Sequence, residues 1–166
     1  MRTEPALLSA SPAQWLALAA FVAVTLAAGG IGSLVTNPSI SGWYASLQKP
    51  AWTPPNWLFG PVWTLLYLMM AVAAWLVWRE RGFGGARLAL ALFAAQLVLN
   101  TLWSILFFGL KSPGAALVEI AFLWAAILAT AAAFWRVTPP AGWLFVPYLC
   151  WVTYAAFLNY AVWRRN

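Results

Sequence analysis

The sequence predicts an all-α integral membrane protein: a bundle of five transmembrane helices with a long structured loop between the first two, forming one domain over residues 1–166. Composition is the first reason. Hydrophobic residues make up 64% of the chain and charged residues 7%, which leaves too little charge to coat a soluble surface. Length is the second reason. A spanning helix takes about 20 residues, so five helices with short connections use nearly all of the 166 residues.

The basic residues stand mostly at the ends of apolar runs, where charges anchor and orient membrane helices. The net charge is +6, yet this placement predicts a lipid bilayer as the partner and no nucleic acid. With five spans, five Lys or Arg residues fall on the N-terminal side and four on the other, which is too even to fix the direction of insertion. The residues that flank spans in this way are Arg79, Arg81, Arg87, Lys111, Arg136, Arg164 and Arg165.

The first predicted helix covers residues 12–34 and follows a short polar tail, residues 1–12. Its apolar run is too long for a signal peptide, and Gly29–Gly32 offers no clean cleavage site, so we interpret it as a spanning helix. Its many Ala and Gly residues permit close packing against neighbouring helices.

The loop predicted over residues 35–56 is rigid and aromatic. Residues 41–48 have the composition of two helical turns, with Tyr44 on their apolar side. Pro54 and Pro55 then hold the chain out of the helical region. Asn56 is a suitable N-cap for the helix that follows. A rigid loop that leads straight into a spanning helix predicts a lid over a site in the bundle.

The other four spans are separated by short breaks. A polar turn of Arg and Gly is predicted at 79–85, Ser112 is a plausible N-cap before a helix that starts at Pro113, and two prolines break the chain near residue 140. The predicted bounds of these four spans are 57–78, 86–108, 113–134 and 142–163.

The sequence lacks most residues of acid–base or metal chemistry. It has no His and a single Cys, Cys150, and its only acidic residue well inside a predicted span is Glu119. Two interpretations of Glu119 are open: a buried carboxylate that faces a partner or a cavity, or a side chain that reaches toward the headgroups from about 9 Å below the helix start. The second is favoured, because charge inside a membrane is costly. We expect no metal and no required cofactor.

Polar and aromatic residues share one face on each of three predicted helices, at about 100° per residue. Amides at membrane depth need hydrogen-bond partners inside the bundle, so these faces are predicted to point inward. An inward cluster of Trp and Tyr with a few amides indicates a pocket for a large, flat, mostly apolar ligand. The three faces are Trp63, Tyr67, Met70 and Ala74; Gln96, Asn100, Trp103 and Phe107; and Tyr148, Trp151, Ala155 and Asn159.

Small residues at Ala91 and Ala95 permit close contact with a second helix and so a homodimer. The stretch 158–164 matches a short pattern proposed for cholesterol. An interfacial Tyr160 followed by a snorkelling Arg164 explains this stretch better.

Three blocks of the sequence resemble the tryptophan-rich sensory protein and translocator protein family (TspO/MBR), which includes the peripheral-type benzodiazepine receptor. The resemblance extends over about residues 14–164. One departure is the stretch from Lys111 to Ala115, where animal members carry a ligand-contacting Trp. The first block runs from Trp43 to Tyr67, the second from Gln96 to Gly109, and the third from Pro147 to Asn159.

The resemblance implies a five-helix bundle, a homodimer, and a pocket closed by the first loop. It also implies binding of porphyrins such as protoporphyrin IX and, in some members, of sterols. Some bacterial members of the family are reported to degrade porphyrin in light, and Trp residues at the positions of Trp63 and Trp151 are implicated. The ligand-binding residues that we predict are Tyr44, Trp52, Trp63, Tyr67, Gln96, Asn100, Trp103, Phe107, Tyr148, Trp151 and Ala155.

Three functions therefore remain open at this point. The first, which we favour, is a membrane receptor or sensor for tetrapyrroles with a regulatory or protective role. The second is an enzyme for light-dependent porphyrin breakdown, which needs no acid–base or metal groups. The third is a transporter of porphyrins or sterols, although the even distribution of charge argues against ion-coupled transport.

Overall fold

The computed structural model describes residues 11–166, so residues 1–10 of the predicted polar tail lie outside it. Within residues 11–166 the chain is helical with no strand. Five stretches of this part are long and apolar enough to cross a membrane, which confirms the predicted multi-pass bundle. The helices are α1 (Pro12–Ile40), α2 (Trp43–Ser46), α3 (Asn56–Gly85), α4 (Arg87–Ser104, continued by a π-helical turn, Ile105–Gly109), α5 (Pro113–Val137), α6 (Pro139–Trp143) and α7 (Val146–Arg165).

The spanning helices pack side by side in one bundle. Helix α1 lies along α3 and α4, α5 lies along α4 and α7, and α6 packs against α5 and α3. The inner face of α3 carries small and flexible side chains, including Met70, Ala74 and Val77, which are fully buried. Between α3 and α7 the backbones make few close contacts, and this gap leaves room for a site.

Helix α1 continues to Ile40 and not to residue 34, so the predicted loop 35–56 is shortened to residues 41–55. Pro38 lies inside the last turns without ending them. The buried Ser39 explains the extension, because its hydroxyl donates to the carbonyl of Phe108 at 2.9 Å and to that of Val35 at 3.2 Å. The end of α1 is thereby attached to the end of α4. The short helix α2 then occupies part of the predicted helical stretch.

Helix α3 begins one residue earlier than predicted. Pro55 occupies the N-cap position and Asn56 is the first helical residue, so Asn56 makes no cap hydrogen bond. The chain stays helical past residue 78 but breaks within the predicted turn 79–85, at Gly82, whose φ of 61° and ψ of −179° lie outside the helical region in a conformation that glycine adopts easily. Arg79 lies over the ring of Trp75 at 4.7 Å, a contact that favours continuation past residue 78.

The fifth predicted span is two helices, α6 and α7, with a break at residues 144–145. Pro147 accounts for the break, because a proline nitrogen cannot donate to the carbonyl of Trp143 four residues earlier. Ser112 holds the predicted N-cap position of α5, but its side chain makes no cap hydrogen bond.

Glu119 is buried, with 6% of its surface exposed, so the favoured interpretation that it reaches the headgroups is wrong. Its helical neighbours at three and four residues, Ala116 and Leu123, are also buried. The face of α5 that carries Glu119 is therefore the face that packs into the bundle.

We predict that Gly142→Ala destabilises the fold by about 1–3 kcal/mol, the usual cost of an extra buried methyl group. A Cβ at this position would lie 2.8 Å from Cβ of Trp135 and 3.0 Å from its Cα, and the backbone cannot yield easily. Thermal unfolding in detergent measures the effect. The control is Gly84→Ala, where an added Cβ meets no atom within 4 Å; equal losses in the two variants would contradict the packing described.

Candidate ligand cavity

A cavity of about 540 Å³ lies between α1, α3, α4 and α7 at the loop end of the bundle. Tyr44 of α2 contributes to its wall at this end. Helix α1 contributes small and polar residues, and the other helices contribute rings. The aromatic residues that line the cavity are Tyr44, Trp57, Phe59, Trp63, Tyr67, Trp103, Phe108 and Trp151.

Asn100 is the buried polar group of the cavity, with 3% of its surface exposed. The Tyr67 hydroxyl donates to its Oδ1 at 2.5 Å, and its Nδ2 donates to the Tyr148 hydroxyl at 2.8 Å. These two bonds join α4 to α3 and to α7. The prediction that this amide finds partners inside the bundle is therefore confirmed.

Trp103 is held by a second amide. Its Nε1 donates to Oδ1 of Asn159 at 3.1 Å, and Nδ2 of Asn159 donates to the Pro113 carbonyl at 2.7 Å. The Trp103 ring also stacks on Phe107, with centroids 5.2 Å apart. Asn159 thus links α7 to the first turn of α5 and fixes the orientation of a cavity ring. It was predicted to face inward but was not among the predicted ligand-binding residues.

Two tryptophans form parts of the wall on α3 and α7. Trp63 lies 5.7 Å from the Tyr67 ring and meets Tyr148 edge-on at 6.1 Å. Trp151 meets Phe59 edge-on at 5.9 Å. Both indoles are partly exposed, so each has a surface open to a ligand as well as a surface packed on protein.

Seven of the predicted ligand-binding residues line one cavity. They come from four elements that are far apart in the chain, and the fold brings them together. These residues are Tyr44, Trp63, Tyr67, Asn100, Trp103, Trp151 and Ala155.

Trp52 does not line the cavity, because its ring packs against Tyr154 at 5.6 Å and half of its surface is exposed. The Tyr154 hydroxyl donates to the Trp52 carbonyl at 2.9 Å. The loop is therefore attached to α7 through Trp52, and Tyr44 is the loop residue that reaches the cavity. Lys49 fixes α2 by donating to the Tyr44 carbonyl at 2.6 Å.

Phe107 lies behind the cavity wall, and Phe108 lines it instead. The reason is the π-helical turn, in which the amide of Leu110 donates to the carbonyl of Ile105, five residues earlier. A π-turn inserts one extra residue into the helix. The position on the cavity wall that was predicted for Phe107 is therefore taken by the next residue, Phe108. A prediction that assumes 100° per residue along the whole helix cannot detect this shift.

Gln96 and Tyr148 also lie outside the lining. Gln96 is fully buried one turn deeper than Asn100, and its Nε2 lies 3.6 Å from Sδ of Met70, while its Oε1 has no hydrogen-bond partner in the described chain. Tyr148 is fully buried and reaches the site through Asn100 and Trp63. Both residues therefore support the wall from behind.

The contribution of α1 is the part of the cavity that sequence reasoning missed. Gly29 permits the close approach of α1 to α3, because a Cβ there would lie 2.4 Å from Cε2 of Tyr67. Gly30 faces open space, with no atom within 4 Å of an added Cβ. Ser33 and Asn37 continue the same face at helical spacing. The spacing of glycines and small polar residues along one face of α1 was the sequence signal that could have indicated this part of the cavity.

The cavity is electrically neutral. None of the described residues that line it is Lys, Arg, Asp or Glu. Tyr44 stays a neutral donor at physiological pH, because burial and, to a lesser extent, the neighbouring Tyr154 raise the pKa of its hydroxyl to about 12. In residues 11–166 no group of three metal-ligating side chains comes together. The cavity can therefore stack a flat apolar molecule and offer it neutral hydrogen bonds.

Comparison with known proteins agrees with this architecture. The profile of the TspO/MBR family matches residues 21–164. The chain is 45% identical to the tryptophan-rich protein TspO of Chlorobaculum tepidum, over 92% of this chain and 98% of that protein. It is 40% identical to the translocator protein of Bos taurus, over 92% and 91% of the two chains. It is 41% identical to the tryptophan-rich sensory protein of Cereibacter sphaeroides, over 92% of each.

We predict that Asn159→Leu lowers the free energy of unfolding by about 1–3 kcal/mol, because it leaves the indole N–H of Trp103 without its partner and removes the link from α7 to the first turn of α5. Denaturant unfolding in detergent measures the loss. The control is Asn37→Leu at the exposed edge of the cavity, which we expect to be nearly neutral. An unchanged stability of Asn159→Leu would show that the bridge does not hold α5 and α7 together.

Proposed function

Because the chain belongs to the TspO/MBR family, we propose that it is a membrane receptor that binds porphyrins, protoporphyrin IX and related tetrapyrroles, in the cavity between α1, α3, α4 and α7. Binding would serve a regulatory or protective role, since a sequestered phototoxic pigment is held apart from the surrounding lipids. Sterols are a second class of flat, apolar molecule that an uncharged cavity suits.

The observation that carries this proposal is the convergence of indole and phenol rings on one neutral cavity. Its volume of about 540 Å³ falls within the range of about 300–1,000 Å³ that is usual for small-molecule sites. Aromatic rings stabilise a flat π-system by stacking and edge contacts, at about 0.5–1.5 kcal/mol for each pair. A tetrapyrrole presents such a system over its whole face.

The orientation of the ligand follows from the distribution of polar groups. The inner end of the cavity holds one buried amide, Asn100, whose donors and acceptors are largely occupied by tyrosines. The outer edge carries the exposed polar side chains of Asn37, Asn56 and Thr64. We therefore place the macrocycle inside and its carboxylate substituents at the outer edge, where they keep contact with water.

Light-dependent porphyrin breakdown is the alternative that one specific observation favours. Trp63 and Trp151 both line the cavity, so a bound macrocycle would lie against two indoles that could donate an electron to its excited state. The same geometry suits a receptor, and the two functions differ only in whether a product forms. Passage of the ligand across the membrane is the third function. The homodimer remains a prediction, with Ala91 and Ala95 exposed on α4.

The first test compares the wild type with Trp63→Phe/Trp151→Phe. We expect the double variant to bind protoporphyrin IX about 10-fold more weakly, because two large rings are reduced while the fold is kept. The measurement is a titration followed by porphyrin absorbance, in the dark. The control is Trp135→Phe/Trp143→Phe, a ring pair outside the cavity with centroids 4.8 Å apart. Unchanged affinity in the first double variant would reject this cavity as the site.

Repeating the titration in light separates the functions. Stable absorbance with protein present supports a receptor. A new product that forms only with protein and light supports the enzyme. Faster movement of porphyrin into liposomes that contain the protein supports transport.

The second test uses two adjacent glycines of α1. Gly29→Ala forces the Tyr67 ring out of place, whereas Gly30→Ala adds a methyl group to open space. We expect Gly29→Ala to weaken porphyrin binding by about 10-fold, a loss of about 1.4 kcal/mol, and Gly30→Ala to weaken it much less. The same titration measures both. If the two variants bind alike, Tyr67 does not shape the ligand site.

A further inference from the structure

Glu119 is a buried carboxyl group that the proposed binding of porphyrin does not use. It projects from α5 into the bundle with 6% of its surface exposed. Neither Oε1 nor Oε2 has a hydrogen-bond partner within residues 11–166. The residue does not line the cavity. A buried polar group without a partner calls for an explanation, and an ionisable residue in a spanning helix is by default a candidate for a functional role.

Two hydrogen bonds fix the depth of Glu119. Nδ2 of Asn159 donates to the Pro113 carbonyl at 2.7 Å, and Nε1 of Trp124 donates to Oγ1 of Thr153 at 2.8 Å. Glu119 lies between Pro113 and Trp124 on α5. On the antiparallel α7, Ala155 lies between Thr153 and Asn159 and lines the cavity. The carboxyl is therefore at the depth of the cavity, behind its α7 wall.

The elements packed around α5 offer this carboxyl no cation. On α7, Tyr148 is the titratable group that interacts with it electrostatically. On α3, Tyr67 is the buried titratable group. The buried polar groups of α4 are the neutral amides Gln96 and Asn100. Neither α6 nor the π-helical turn contains a titratable residue.

An ionised carboxylate in these surroundings is strongly disfavoured. It would lose its hydration and gain neither a cation nor a hydrogen bond in return. Taking up a proton from water removes the charge and most of this cost. The neutral acid keeps a polar O–H, which is far cheaper to bury than a charge.

We propose that Glu119 is a proton-binding site in the interior of the bundle and that its protonation keeps the adjacent cavity competent to bind a porphyrin. Loss of the proton to water leaves an uncompensated negative charge behind the Ala155 wall. This charge attracts water toward an apolar cavity and repels the carboxylates of the ligand. The second half of the proposal rests on the proposed function, and the first half does not.

The first experiment observes the proton directly. The chain has three acidic residues, Glu4, Glu80 and Glu119, and no Asp. In Glu4→Gln/Glu80→Gln, Glu119 is the sole side-chain carboxyl. With the glutamate side-chain carboxyl labelled with ¹³C, solid-state NMR in lipid bilayers at pH 7 should show a protonated acid. An ionised carboxylate would overturn the proposal.

The labelled wild type gives a check that does not depend on that variant. Its protonated resonance should disappear in Glu119→Gln and persist in Glu80→Gln, whose substituted side chain is exposed. Persistence of the resonance in Glu119→Gln would also overturn the proposal.

The second experiment measures the coupling to the cavity. We expect wild-type affinity for protoporphyrin IX to fall about 5-fold or more, as is usual for coupled sites, when the pH rises through the ionisation seen by NMR. Glu119→Gln should lack this fall, and Glu80→Gln should retain it. If the affinity of Glu119→Gln depends on pH in the same way as that of the wild type, the coupling is overturned. The coupling is also overturned if the Glu119 carboxyl stays protonated at every pH at which the protein is folded.

The outcomes separate this inference from the proposed function. If Glu119 is protonated but no porphyrin binds to the wild type at any pH, the proton site stands and the proposed function fails. If porphyrin binds but Glu119 is ionised at pH 7, the proposed function stands and the proton site fails.

Discussion

The structure depends above all on the bridge that Asn100 makes between Tyr67 and Tyr148. Apolar packing alone holds membrane helices weakly in place, because lipid tails are as apolar as the side chains. A buried amide with two tyrosine partners gives α3, α4 and α7 one relative arrangement. This arrangement sets the inner end of the cavity and the position of the Trp63 ring, which lies on Tyr67 and against Tyr148.

The loop end of the cavity is organised by a different set of constraints. Ser39 attaches the end of α1 to α4, Lys49 caps α2, and Tyr154 holds the loop at Trp52. The side chain of Asn166 exchanges two hydrogen bonds with the backbone of Gln48. The loop is thus attached at several points to the helices that carry the cavity rings. These attachments hold the short helix α2 in place, so that Tyr44 lies against the cavity.

Much of the fold could be predicted from the sequence, because the length and polarity of each span follow from the bilayer itself. The inward faces of α4 and α7 were also predictable, since amides at membrane depth must find partners. What could not be predicted depends on tertiary contacts. The hydrogen bond of Ser39 to Phe108 extends α1. The π-helical turn places Phe108 on the cavity wall in place of Phe107. Trp52 packs against Tyr154, a contact that helical periodicity does not predict. The burial of Glu119 likewise depends on which face of α5 meets α7.

The most direct test of the account is an experimental structure of the protein with protoporphyrin IX bound. The account predicts density for a flat macrocycle between α1, α3, α4 and α7, in contact with Trp63 and Trp151 and with its carboxylates at the outer edge near Asn37. Density for the macrocycle outside this cavity, for example in the lipid-facing groove between α3 and α7 that Cys150 lines, would contradict it.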